Sequence, residues 1–110
     1  MAKMDLLQGT LDVLILKALS WGPLHGYAVV RWIGRQTDDV LRIEEGALYP
    51  ALHRMEERGW IEAEWGISEN NRRAKYYRLT DLGRRQFHSE AASWQRYADA
   101  VGKVLQAVAA

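Results

Sequence analysis

Apolar residues open the chain at helical spacing: Leu11, Leu14, Ile15, Ala18 and Leu19 share one face, and Thr10 is placed to cap the first turn. Trp21-Gly22-Pro23 must end this helix, because proline disfavours helical geometry in the residue before it. A second helix is expected from Gly26 to about Thr37, carrying Tyr27, Val30 and Ile33 on a shorter apolar stripe. In a third, Leu48, Ala51, Leu52 and Met55 form the core face, and Gly59 stands where a C-terminal cap belongs. Pro50 is expected in its first turn, where a missing N–H costs no intrahelical bond, so the helix should open near Gly46 or Ala47.

The period then changes. Ile61, Ala63, Trp65 and Ile67 alternate with Glu62, Glu64 and Gly66, the pattern of a half-buried strand over residues 61–67. Ser68 to Arg73 is polar and carries Asn70-Asn71, which tolerate turn geometry, and Lys75-Tyr76-Tyr77-Arg78-Leu79 reads as the returning strand of a hairpin. From Thr80, an N-cap followed by Asp81, the chain holds no proline and reads as helix to its end. Here Phe87, Ala91, Trp94, Ala98, Val101, Leu105 and Val108 fall at intervals of 4-3-4-3-4-3, the seam of a coiled coil kept for about three heptads.

Three helices, a hairpin and a long helix make a mainly α fold with a small β-hairpin (α+β), laid out as a winged helix-turn-helix over 1–80 and a C-terminal dimerisation helix over 81–110. In that plan the third helix enters the major groove of duplex DNA. Its face away from the core carries Ala47, Pro50, His53, Arg54 and Glu57, of which His53 and Arg54 are donors to bases or phosphates; the other reading is a solvated face. Arg72, Arg73, Lys75 and Arg78 fall within seven residues that include no acid, a cluster suited to phosphate contact when carried on a turn. His25-Gly26 would present backbone N–H groups and the positive end of the second helix to a phosphate, or else form a turn with His25 exposed and idle. Tyr27 and Tyr49 are hydroxyl donors or packing residues with a wet tip. Of the five tryptophans, Trp21, Trp32, Trp60 and Trp65 are assigned to the core or rim. Trp94 lies in the seam, where two copies would pack against each other or flank a planar apolar ligand.

Composition narrows the function classes. The 110 residues suffice for one modest core, and a net charge of +1, from 15 Lys and Arg against 14 Asp and Glu, does not by itself announce a nucleic-acid partner. Without cysteine there is no disulfide or thiolate chemistry, and His25, His53 and His88 have no metal-ligand spacing, so neither metal nor cofactor is expected. No apolar run approaches the roughly 18 residues of a membrane span, and the first ten residues lack the layout of a signal peptide; a cytoplasmic protein is expected. The neighbouring acids Asp38-Asp39, Glu44-Glu45 and Glu56-Glu57 point in different directions, and no nucleophile motif or phosphate-cradling glycine loop is present, so the chain is not read as an enzyme.

Three motifs in order, Leu19-Ser20-Trp21-Gly22-Pro23-Leu24-His25-Gly26-Tyr27, then Gly46-Ala47-Leu48-Tyr49-Pro50-Ala51-Leu52-His53-Arg54-Met55-Glu56 with Gly59-Trp60-Ile61, then Arg72-Arg73-Ala74-Lys75-Tyr76-Tyr77-Arg78-Leu79-Thr80 with Gly83, resemble the PadR-like transcriptional regulators over most of residues 6–83. Short members of that family likewise end in one long helix. The resemblance implies a homodimer that represses transcription from a palindromic double-stranded operator, often near its own gene, and releases it on a small-molecule or other cue; phenolic compounds and hydrophobic drugs are effectors in the family. It carries a DNA role to Tyr49, Pro50, His53, Arg72, Arg73 and Lys75. The chain departs from the pattern at Glu44-Glu45, two acids at a position where small or polar residues would be friendlier to phosphate. A competing reading is a winged-helix protein-interaction module without DNA binding, favoured by the near-neutral charge and disfavoured by the basic wing.

Overall fold

The computed structural model describes residues 4–5 and 9–109; the opening stretch read for a signal sequence lies mostly outside them. The elements in chain order are β1 (Met4–Asp5), α1 (Thr10–Leu19), β2 (Leu24–His25), α2 (Gly26–Gln36), β3 (Leu41–Arg42), α3 (Glu45–Glu57), β4 (Ile61–Ile67), β5 (Arg73–Leu79) and α4 (Asp81–Gln106). The predicted hairpin of β4 and β5 is antiparallel, from Ile61 opposite Leu79 to Ile67 opposite Arg73, and β2 pairs on the free edge of β5, with Leu24 opposite Tyr77 and His25 opposite Tyr76. The sheet is therefore three-stranded with β5 in the middle, and β1 makes a short parallel pair with β3.

One core joins all the layers. Ile15, Leu16 and Leu19 of α1, Val29 and Ile33 of α2, Leu48, Leu52 and Met55 of α3, and Ile61, Tyr77 and Leu79 of the sheet are buried together. Each such side chain contributes about 1.5–3 kcal/mol on burial, which outweighs the modest helix propensities of α2 and α3.

Several local expectations are corrected. Thr10 does not cap α1: Gly9 is the N-cap, no side chain bonds there, and Thr10 is a buried first helical residue. Helix α3 opens at Glu45, with the Ala47 and Leu48 N–H groups both donating to the Glu44 carbonyl, so Pro50 lies inside the helix and not in its first turn. The carbonyl that proline leaves without a donor is that of Gly46, which is exposed and open to water. At the other end Gly59, at φ 77°, turns the chain as expected, with its N–H donating to Glu56 and that of Trp60 to Met55.

The alternation in β4 overstates its burial. Ile61 is buried and Ala63 half-buried, but Trp65 and Ile67 are 56% and 65% exposed, because the far half of the hairpin projects beyond the helices. Trp32 and Trp60 pack against the core, and Trp21, 67% exposed, sits at the rim with its ring 5.2 Å from that of Trp32. Helix α4 begins as predicted, with the Thr80 hydroxyl accepting the Gly83 N–H at 3.0 Å, but it ends at Gln106. Val108 lies beyond it; Val104 and Leu105 are already 75% and 79% exposed, so packing no longer offsets the cost of ordering a further turn. Phe87, placed in the seam, packs on the core.

Candidate nucleic-acid interface

The outer face of α3 carries Ala47, Tyr49, Pro50, His53, Arg54 and Glu57, all exposed as the helical period requires. Both of its hydrogen-bonding side chains are held by carboxylates: Arg54 reaches Asp12 of α1 at 2.6 Å, and His53 meets Glu57 one turn on at 2.6 Å. Tyr49 lies at the start of this face with its ring and hydroxyl against Gly26, which ties the opening of α3 to the opening of α2.

At that opening His25 is neither exposed nor idle. It is buried, and its Nδ1 accepts the Ala28 N–H at 3.1 Å, so the ring itself caps α2. Tyr27 on the first turn is 58% exposed, with the Arg31 guanidinium 5.0 Å from its ring centre.

Opposite stands the wing. The turn between β4 and β5 is closed by the Ser68 N–H donating to the Arg72 carbonyl at 2.8 Å and the Asn71 N–H to the Ser68 carbonyl at 2.9 Å, with Asn71 at φ 58°. Strand pleating separates the four basic residues that cluster in sequence. Arg73 and Lys75 share the face of Tyr77, whereas Arg78 points to the other side and pairs with Glu62 at 2.9 Å. Lys75 meets Glu56 at 3.4 Å, and the Arg73 guanidinium stacks 4.3 Å above the Trp65 ring. Arg72 has no ion pair among the described residues.

Between wing and helices lies a cleft of about 730 Å³, lined by Tyr27 and Tyr49 on one side, Trp65, Arg72, Arg73 and Lys75 on the other, and Tyr77 at its floor. Burial pushes the Tyr77 phenol up from its ordinary value, so it stays a neutral donor at physiological pH. A groove with cations on one wall and phenol hydroxyls on the other is built to accept anionic oxygens and apolar sugar edges together. The structure thus brings His25, Gly26, Tyr27, Tyr49, Arg72, Arg73 and Lys75 to one cleft, with Ala47, Pro50, His53 and Arg54 on the adjoining face of α3. Trp65 is the cleft residue that periodicity assigns to the core; its signal is a large aromatic next to the polar turn, where few residues remain to cover it.

On α4 the exposed stripe is Trp94 and Val101, each 39% exposed, with Leu105; Tyr97 and Val104 widen it beyond the heptad positions, and Ala91 and Ala98 flank Trp94 half-buried. Among the described residues no helix is long and apolar enough to cross a membrane, and no group of His, Asp or Glu is placed to hold a metal ion.

Comparison with known proteins agrees with this geometry. The family model for the transcriptional regulator PadR-like family matches residues 15–89. The chain is 36% identical to a PadR family transcriptional regulator from Eggerthella lenta, covering 92% of this chain and 86% of that one with a TM-score of 0.76. It is 31% identical to a transcriptional regulator from Clostridium thermocellum, covering 87% and 93% with a TM-score of 0.78. A protein of Lysinibacillus sphaericus, described as uncharacterized, is 31% identical over 94 residues, 86% of each chain.

Proposed function

The chain belongs to the PadR-like family of transcriptional regulators, and on that premise we propose that it acts in the cytoplasm as a homodimeric repressor of a palindromic operator. Residues 1–80 are the DNA-binding unit and residues 81–110 the dimerisation segment. The observation that carries this reading is the cleft between wing and helices, with Arg72, Arg73 and Lys75 facing Tyr27 and Tyr49. Helix α3 enters the major groove with Ala47, Pro50, His53 and Arg54 toward the base edges, while the wing and the start of α2, at His25-Gly26, follow the backbone. His53, Arg54 and Lys75 reach DNA by exchanging Glu57, Asp12 and Glu56 for phosphate or base acceptors.

Pairing of two α4 helices along Ala91, Trp94, Ala98, Val101 and Leu105 removes the exposed apolar stripe from water and sets two recognition helices about 34–36 Å apart, one turn of duplex. Two Trp94 indoles meeting between small alanines leave room for a planar aromatic effector, and an occupant that fits one arrangement of the helices changes half-site spacing and releases the operator.

The test is duplex binding across a salt series. Wild type should lose affinity steeply with salt, and Arg72→Ala with Arg73→Ala should weaken binding to every sequence and flatten the slope by about 0.9 for each phosphate no longer neutralised. A flat salt dependence in the wild type would leave the winged-helix protein-interaction module as the better reading.

A further inference from the structure

His25 stands where three elements meet. Its backbone pairs with Tyr76 in the sheet, its Nδ1 caps α2, and the Tyr76 ring lies 5.4 Å from its own at 30°. An imidazole nitrogen that accepts a hydrogen bond carries no proton, so the cap places the neutral ring's proton on Nε2. That Nε2 is buried without a hydrogen-bond partner among the described residues and faces Oε2 of Glu69 at 3.6 Å. The other oxygen of Glu69 accepts from Arg31 on α2 at 3.2 Å. One carboxylate therefore bridges the wing turn to His25 and Arg31, the cap and a later turn of α2, from outside the sheet ladder.

Glu69 is the second residue of the closed turn that ends at Arg72, so where its carboxylate is held, Arg72 and Arg73 are held too. Its carboxyl lies below the ordinary carboxylate range, first through a backbone hydrogen bond and then through the Arg31 guanidinium, and it is ionised throughout the neutral range. By charge alone, an acid beside a phosphate-binding cleft opposes DNA. Its two partners at α2 indicate what it does instead.

We propose that Glu69 is a positioning residue for DNA binding: hydrogen-bonded to Arg31 and facing His25 Nε2 at 3.6 Å, it latches the wing turn to α2 and sets the distance at which Arg72 and Arg73 face Tyr27 and Tyr49. This rests on the DNA-binding reading above. The latch is also separable from the fold, because the Glu69 side chain is 56% exposed and its removal opens no cavity, and the α2 cap uses the opposite ring nitrogen.

The sign of one substitution decides between latch and bystander. If Glu69 were only an acid near the cleft, Glu69→Ala would tighten DNA binding. The latch predicts the reverse, a loss of about threefold to tenfold with a shallower salt slope and an unchanged melting temperature. In the background of Arg72→Ala with Arg73→Ala there is nothing left to position, and Glu69→Ala should then tighten binding. Arg31→Ala removes the hydrogen bond that holds Glu69, so it should weaken DNA binding in the same direction and add nothing to Glu69→Ala. Tighter binding by Glu69→Ala or Glu69→Gln in the otherwise wild-type chain overturns the proposal. If wild type shows no salt-dependent binding, the DNA reading fails, and amide exchange at Asn71 and Arg72 judges the latch alone: faster exchange in Glu69→Ala supports it, unchanged exchange overturns it.

Discussion

Replacing Gly83 by alanine tests whether the long helix is seated on the winged domain through backbone contact. Gly83 is the third residue of α4, and its N–H donates to Thr80 Oγ1 at 3.0 Å. The Trp60 carbonyl lies under this turn and accepts from the Thr80 N–H at 3.0 Å and from the Thr80 hydroxyl at 3.1 Å. A Cβ on Gly83 would fall 1.9 Å from that carbonyl oxygen and 2.9 Å from its carbon. Ordinary carbon–oxygen contact needs about 3.3 Å, so the two backbones would have to separate by more than about 1 Å, roughly the length that breaks the bonds from Thr80. Overpacking of this kind costs about 1–3 kcal/mol and each broken hydrogen bond about 1 kcal/mol, against a gain of roughly 0.5–1 kcal/mol from alanine's helix propensity. The sterics win by about 3 kcal/mol, a fall in Tm on the order of 15 °C for a domain of this size. Thermal unfolding at one fixed protein concentration reads it, with Gly46→Ala as control, because a Cβ there meets nothing within 4 Å and should stabilise by about 0.5–1 kcal/mol. A Tm for Gly83→Ala at or above wild type would refute the reasoning.

Two further outcomes concern α4. Leu105→Asp should leave the protomer folded, since that side chain is 79% exposed, yet weaken the dimer about 100-fold or more by burying an unpaired charge in the seam; sedimentation equilibrium measures this, and a wild type that stays monomeric at high concentration would contradict the helix pairing. Planar aromatic compounds should quench tryptophan fluorescence and lower operator affinity, and Trp94→Ala should abolish that coupling while sparing DNA binding. Quenching that persists in Trp94→Ala places the ligand elsewhere.

The parts legible in sequence are those set by local period. The core face of α3, the two strands of the hairpin and the Thr80 cap follow from spacings within a few residues, whereas on α1 Val13 and Leu16 are buried beyond the expected face and Leu11 and Leu14 are only half-buried. Periodicity states which side chains share a face but not what covers it, which is why Trp65 and Ile67 read as core and stand exposed. Burial of His25 depends on a two-residue strand adding to the edge of β5, too short to leave an alternating pattern. The Arg54–Asp12 and Arg31–Glu69 pairs join residues 42 and 38 positions apart, so the basic wing and helix face look freer in sequence than they are. Pro50 reads as a boundary because proline is cheapest in a first turn, but an exposed Gly46 carbonyl makes it tolerable further in.

If α3 and the wing meet DNA as proposed, the carboxylates paired with Arg54 and Lys75 bear on how such a protein searches a chromosome. Arbitrary duplex offers phosphates everywhere, and a surface of unpaired cations would be drained onto them, since a genome presents on the order of 10⁶–10⁹ competing sites. On that reading Asp12 and Glu56 keep those cations occupied until a site offers acceptors good enough to replace them. Weak grip on random sequence leaves more molecules free at any moment, and a small number of copies can then keep one operator filled.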